Sequence, residues 1–177
     1  ASIFFDLFPL CGDRDLGEEL RSLLLALTAD TPAFLHLMAV NALQVDVPLN
    51  FRGEVVAGEG GGGNEVDLKK FGSRIFVDAA RILALSSGVR AVNTSARLRD
   101  AGPAGGLQAG EIDAVDAAFS HILRLRLTRQ IAAGAAAAEA GNGVRLDSLN
   151  EVDMAILRAS LRQARRLQQR LKLNYEL

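Results

Sequence analysis

Apolar residues recur at helical spacing along most of the chain, and the points where that spacing stops divide it into elements. Leu16 to Leu27 carries leucines three and four apart, with Glu18 and Glu19 in the first turn, where a helix dipole favours acids. Thr31-Pro32 offers an N-cap and an N1 proline for a second helix running to about Val45, and Pro48 ends it. Ser73 to Ser87 predicts a helix that buries Ile75, Phe76, Ala79, Ile82 and Leu83, with Gly88 as its stop. Asn93-Thr94 can cap a short helix that ends before Gly102-Pro103. The longest helix is expected from about Ile112 to Ala138, fraying in the alanines at 135–138, and Gly141-Asn142-Gly143 breaks it. Ser148 with Glu151 has the spacing of a capping box for a last helix reaching about Leu173.

Two stretches depart from that spacing. Ile3 to Leu10 reads as a short extended segment stopped by Pro9 and Gly12-Asp13. Residues 51–68 read as a small β-hairpin, Phe51–Val56 against Glu65–Leu68, with the glycine-rich stretch 58–63 as a mobile tip. About six helices with short connections and no strand–helix alternation predict a mainly α fold: an antiparallel helical bundle with that hairpin attached.

Composition narrows the class without naming a function. With 177 residues, 49% hydrophobic and 23% charged, the chain is sized for one domain over 1–177 and is too apolar for disorder. Its start at Ala1, without Met and in mid-pattern, suggests a piece of a longer multidomain protein. A net charge of −1 gives no general attraction for nucleic acid, and no apolar run approaches the ~18 residues of a membrane span. A single cysteine, Cys11, suits a reducing compartment. His36 and His121 cannot form a zinc site with one cysteine unless carboxylates complete it. Charge is nevertheless segregated: residues 1–66 are acidic, and residues 155–177 carry six bases against Glu176.

Each candidate chemistry has a structural counterpart. The glycine run lacks the Lys-Ser/Thr ending of a phosphate-binding loop, and it reads as a flexible loop. Asp13-Arg14-Asp15 has a carboxylate spacing that can hold two metal ions, but its place just before a helix favours a capping turn. Gly72-Ser73 looks like the turn that precedes such carboxylates in nucleotidyl transfer, yet no Asp-x-Asp follows it. Arg126 projects in line with Val115, Phe119 and Ile122, with Gln130 one turn later. An inward arginine needs an anionic or carbonyl partner, either an acid at the core edge or a ligand in an anion-binding cleft. Arg74, Asp78 and Arg81 share one polar stripe, read as surface pairing. Arg158, Arg162, Arg165 and Arg166 read as a solvated face of the last helix, and His36 as a core-edge residue.

Several short strings taken together resemble a known family. They are Phe4-Phe5-Asp6-Leu7 with Pro9 and Gly12-Asp13; Asp67-Leu68-Lys69 followed by Gly72; Val77 to Leu85; Asn93-Thr94 with Arg97-Leu98; Leu123 to Arg126 with Gln130; and Leu167-Gln168. In this order and spacing they resemble the nucleotidyltransferase substrate-binding domain. That domain is the C-terminal helical module of bacterial signal-transduction proteins in which CBS or cyclic-nucleotide-binding domains precede a nucleotidyltransferase domain. The resemblance implies a bundle beside a catalytic domain related to the nitrogen-regulatory uridylyltransferase, in a cytoplasmic protein. It implies Mg²⁺ and a nucleoside triphosphate for the full-length protein, and no cofactor in this piece, which alone is expected to be inactive. No membrane or nucleic-acid partner is implied, and a homodimer stays open. Asp67, Lys69, Asp78, Arg81, Asn93, Arg97, Arg126 and Gln130 become the candidate substrate-binding residues, Lys69 and Arg81 being the two offered to phosphate. No residue is expected to be catalytic or to ligate metal. One departure stands out: Phe8 occupies the place of an arginine in the family pattern. The alternative is a non-catalytic helical interaction or dimerisation module relaying signals from the sensor domains.

Overall fold

A computed structural model describes residues 2–57, 64–134 and 142–177. Within them the chain is mainly α-helical, with six α-helices: α1 Arg14–Ala29, α2 Pro32–Ala42, α3 Arg74–Ser86, α4 Thr94–Ala101, α5 Ala109–Ala133 and α6 Glu151–Tyr175. Two short strands, β1 Glu65–Asp67 and β2 Gly143–Arg145, pair antiparallel with Val66 opposite Val144. The expected glycine tip at 58–63 and the alanine run at 135–138 lie outside the described residues. No single described helix is long and apolar enough to cross a membrane.

The contacts divide the chain into two compact units. The first comprises residues 1–44, 77–112 and 170–177. Here α1 begins where Asp13 caps it, the carboxylate accepting the Asp15 N–H at 2.9 Å, which settles Asp13-Arg14-Asp15 as a capping turn. Thr31 takes the N-cap position of α2 but its side chain makes no capping bond, leaving Pro32 to start the helix. The two helices are bent 89° from each other. Residues 2–6 form a 3-10 turn rather than an extended segment. His36 is exposed rather than at the core edge, because the buried line of α2 runs through Leu35, Ala39 and Ala42.

The second unit comprises residues 45–76 and 113–169. Its buried side chains include Val66, Leu68, Phe76, Ile122, Val144, Leu157 and Leu161. The hairpin expected over 51–68 resolves differently. Asn50 Oδ1 accepts the N–H groups of Arg52 and Glu54, both at 2.9 Å, and Gly53 at φ 75° closes a turn that returns Val55 to Leu49. That local closure leaves β1 to pair with 143–145. The last helix also holds this turn. Arg165 donates to the carbonyls of Leu49 and Asn50, and Gln168 Nε2 donates to Val45 O at 2.7 Å. Part of the basic face expected to be solvated is therefore an anchor.

The start of α6 gives a first test. Asn150, not Ser148, supplies the cap: its Oδ1 accepts the Asp153 N–H at 2.8 Å and its Nδ2 donates to Asp153 Oδ2 at 2.9 Å. Ser148 instead closes the preceding turn by donating to Arg145 O. Asn150→Ala is expected to cost about 1 kcal/mol in urea unfolding, and Ser148→Ala distinctly less. The reverse order would return the cap to Ser148.

Candidate functional site

The densest polar constellation lies in the first unit, where three elements meet at Asp6. Asn93 opens α4 by accepting the Ala96 N–H at 3.2 Å, and Arg97 follows one turn later. Arg81 stands on α3, one turn beyond Asp78. Arg81 grips Asp6 with Nη2 at 2.5 Å and Nε at 3.3 Å, while its Nη1 meets Asp78 at 3.1 Å. Arg97 reaches the same carboxylate with Nη1 at 2.6 Å and donates from Nη2 to Phe5 O and from Nε to Ala91 O. Arg81 and Arg97 are only 5% and 3% exposed. The polar stripe on α3 thus holds a buried arginine, because the N-terminal turn lies over it.

Electrostatics agree with that geometry. Burial raises the Asp6 pKa, but the hydrogen bonds from Arg81 and Arg97 outweigh it and hold the carboxyl below its ordinary value. Burial lowers Arg97, partly offset by Asp6, without bringing an arginine near neutrality. Two arginines and two aspartates cancel, and every nitrogen of the Arg97 guanidinium already has an acceptor. A phosphate could reach either cation only by displacing Asp6.

The other candidates divide between the two units. In the second, Asp67 Oδ1 accepts the N–H groups of Lys69 and Lys70, at 2.8 and 2.9 Å, fixing the π-helical turn 69–73. The Lys69 side chain is exposed, as is Gln130. Arg126 is half-buried and faces inward, but its partners are neutral: Ser73 Oγ at 3.0 Å and Asn142 Oδ1 at 2.9 Å. Its Nε is buried without a hydrogen bond. Gly72-Ser73 is a packing element here, since a Cβ at Gly72 would sit 3.1 Å from Ile122 Cγ2. With no acid left behind, Arg126→Met is expected to cost about 1–3 kcal/mol, from two lost bonds of ~0.5–1.5 kcal/mol each. A loss of ~3–5 kcal/mol in the same unfolding measurement would mean that a buried acid depends on it.

Asp6 stands in the string Phe4-Phe5-Asp6-Leu7 but not among the candidate substrate-binding residues, although a signal for its pairing exists. It is the one acid in the apolar run Ile3 to Leu10, and an acid so placed needs a cation.

The model of the family described as "Putative nucleotidyltransferase substrate binding domain" matches residues 32–175, and the chain belongs to that family. No curated protein and no solved structure matches it. Asp6 lies ahead of the matched residues, whereas Arg81 and Arg97 lie within them.

Proposed function

We propose that the chain is the accessory substrate-binding domain of a signal-transduction nucleotidyltransferase, completing the nucleotide/acceptor cleft beside a catalytic domain carried elsewhere in the polypeptide. The family match over 32–175 carries this reading. The cellular setting proposed with it is a bacterial cytoplasmic protein under CBS or cyclic-nucleotide control. Mg²⁺ and the nucleoside triphosphate belong with the catalytic half. Among the described residues no group of three His, Cys, Asp or Glu side chains could hold a metal, and Asp13 with Asp15 is a helix cap. Lys69 and Gln130, exposed in the second unit, remain the candidates for direct substrate contact.

The test is transfer by the isolated chain. Incubated with labelled ATP or UTP, Mg²⁺ and candidate acceptors, it is expected to transfer nothing, because no Asp-x-Asp follows Gly72-Ser73 in the sequence to hold two metals at the attacking and leaving oxygens. Metal-dependent labelling that survives repurification would overturn the reading.

One observation favours the interaction-module alternative. Leu16, Leu20, Leu23 and Leu27 lie on one face of α1 and are 45–65% exposed, at the spacing of a coiled-coil seam. That reading predicts a dimer in sedimentation equilibrium that Leu20→Lys dissolves.

A further inference from the structure

A cleft of about 960 Å³, within the usual size of small-molecule sites, opens in the first unit. Its walls are the first turn of α2, the end of α3, the turn at Gly105-Gly106 and the end of α6. It is separate from the Asp6 cluster: neither Asp6, Arg81 nor Arg97 lines it.

Its chemistry is one-sided. Glu176 is the sole carboxylate on its walls and His36 the one imidazole, and no lysine or arginine lines it. Arg170 packs against Gly106, 3.2 Å from where a Cβ would stand, but does not line the cleft. Its wall takes in the carboxyl ends of α3 and α6 and the amino end of α2. Each end carries about half a charge, so two negative ends and one carboxylate outweigh the single positive end. With Glu176 on the wall and no lysine or arginine lining it, the cleft favours a cation over an anion. Around Glu176 stand groups suited to hydroxyls. The Asn174 Nδ2 donates to Gly105 O at 3.1 Å, which leaves Oδ1 as an acceptor. Ser87 lines the wall beside Ser86, whose Oγ donates to Leu83 O at 2.9 Å.

Glu176 is also strained. At φ 53° it is the one non-glycine residue with positive φ among the described residues, and Leu177 N–H closes over it onto Lys172 O at 3.0 Å. Such a helix end ordinarily takes glycine. A carboxylate held in that conformation on a cleft wall gives up stability that glycine would provide.

We propose that this cleft binds a small hydroxylated organic cation, its ammonium paired with Glu176 and its hydroxyls with Ser87 and Asn174. The inference rests on the substrate-binding reading, for which it names the acceptor class: an amine-bearing polyol rather than the nucleotide.

Tyr175 is the only tyrosine and the chain has no tryptophan, so its emission reports on this cleft alone. Titration of the chain with glucosamine is expected to change that emission saturably, whereas glucose and ATP leave it unchanged. Glu176→Gln is expected to weaken glucosamine about three- to fivefold, the scale of a partly exposed ion pair. Glu176→Gly is expected to weaken it equally while raising the thermal midpoint, which separates lost binding from lost folding. An equal response to glucose, or a response to ATP alone, would overturn the cation assignment and leave the substrate-binding reading standing. Silence towards all three, or glucosamine binding undiminished in both variants, would overturn the cleft as the site. The absence of transfer by the isolated chain tests the wider reading independently.

Discussion

Asp6→Asn is expected to be among the most damaging single changes to this chain. The substitution keeps the size of the side chain but removes the charge facing two arginines that are 5% and 3% exposed. Breaking a buried pair by removing one partner costs about 3–5 kcal/mol, because the other charge is left uncompensated. Here the loss should fall toward the lower end. The Asp6 side chain itself is 32% exposed, and Arg81 keeps Asp78 while Arg97 keeps the carbonyls of Phe5 and Ala91. The linkage also has a definite sign. Asp6 has a depressed pKa when folded, so its contribution is complete above the unfolded carboxylate value of ~3.9 and is lost as pH falls through the folded value. Urea unfolding between neutral pH and pH 3 should show the wild type losing more stability than Asp6→Asn over that range. Parallel pH profiles and a loss under about 0.5 kcal/mol, the range of ordinary surface changes, would show that the cluster holds nothing together.

Phe76→Ala should be comparably severe through packing. Phe76 is fully buried on the second unit's stretch of α3, its ring 5.7 Å from that of Phe119 at a 43° tilt. Truncation of a buried phenylalanine costs about 3–5 kcal/mol, combining lost transfer energy with the cavity left behind. The tilted ring pair adds ~0.5–1.5 kcal/mol within that figure. Phe119→Leu should cost less, since it keeps most of the volume. A Phe76→Ala loss below about 1 kcal/mol would contradict the placement of α3.

The two predictions differ in how far the sequence foretold them. The apolar arc of α3 was legible because helical periodicity is local, and all five residues expected to be buried there are 4% exposed or less. Asn93 as a cap and Gly88 as a stop were legible for the same reason. The Asp6 cluster was not, because periodicity places Arg81 on a polar stripe and says nothing of a distant segment folding over it. The strand pair failed similarly. β1 has the right residues, but its partner lies beyond α5, while the nearer segment satisfies its own backbone through Asn50 and Gly53. Helical projection turns Arg126 inward, as found, yet its neutral partners come from the π-helical turn ending at Ser73 and the turn at Asn142, which no periodicity connects. For the candidate site this matters most at Arg81: removing its charge, expected from the stripe to spare the fold, should instead destabilise it.

The central proposal is that this domain supplies acceptor binding while the nucleotide is held chiefly by the catalytic half. The most direct measurement uses the polypeptide that carries both modules, with and without this domain. Nucleotide affinity with Mg²⁺ and transfer to the acceptor are read side by side. Without the domain, nucleotide affinity should stay within about twofold, while transfer should fall by at least about a hundredfold, the scale of misplacing a bound reactant. Undiminished transfer would contradict the account and make the domain an interaction module.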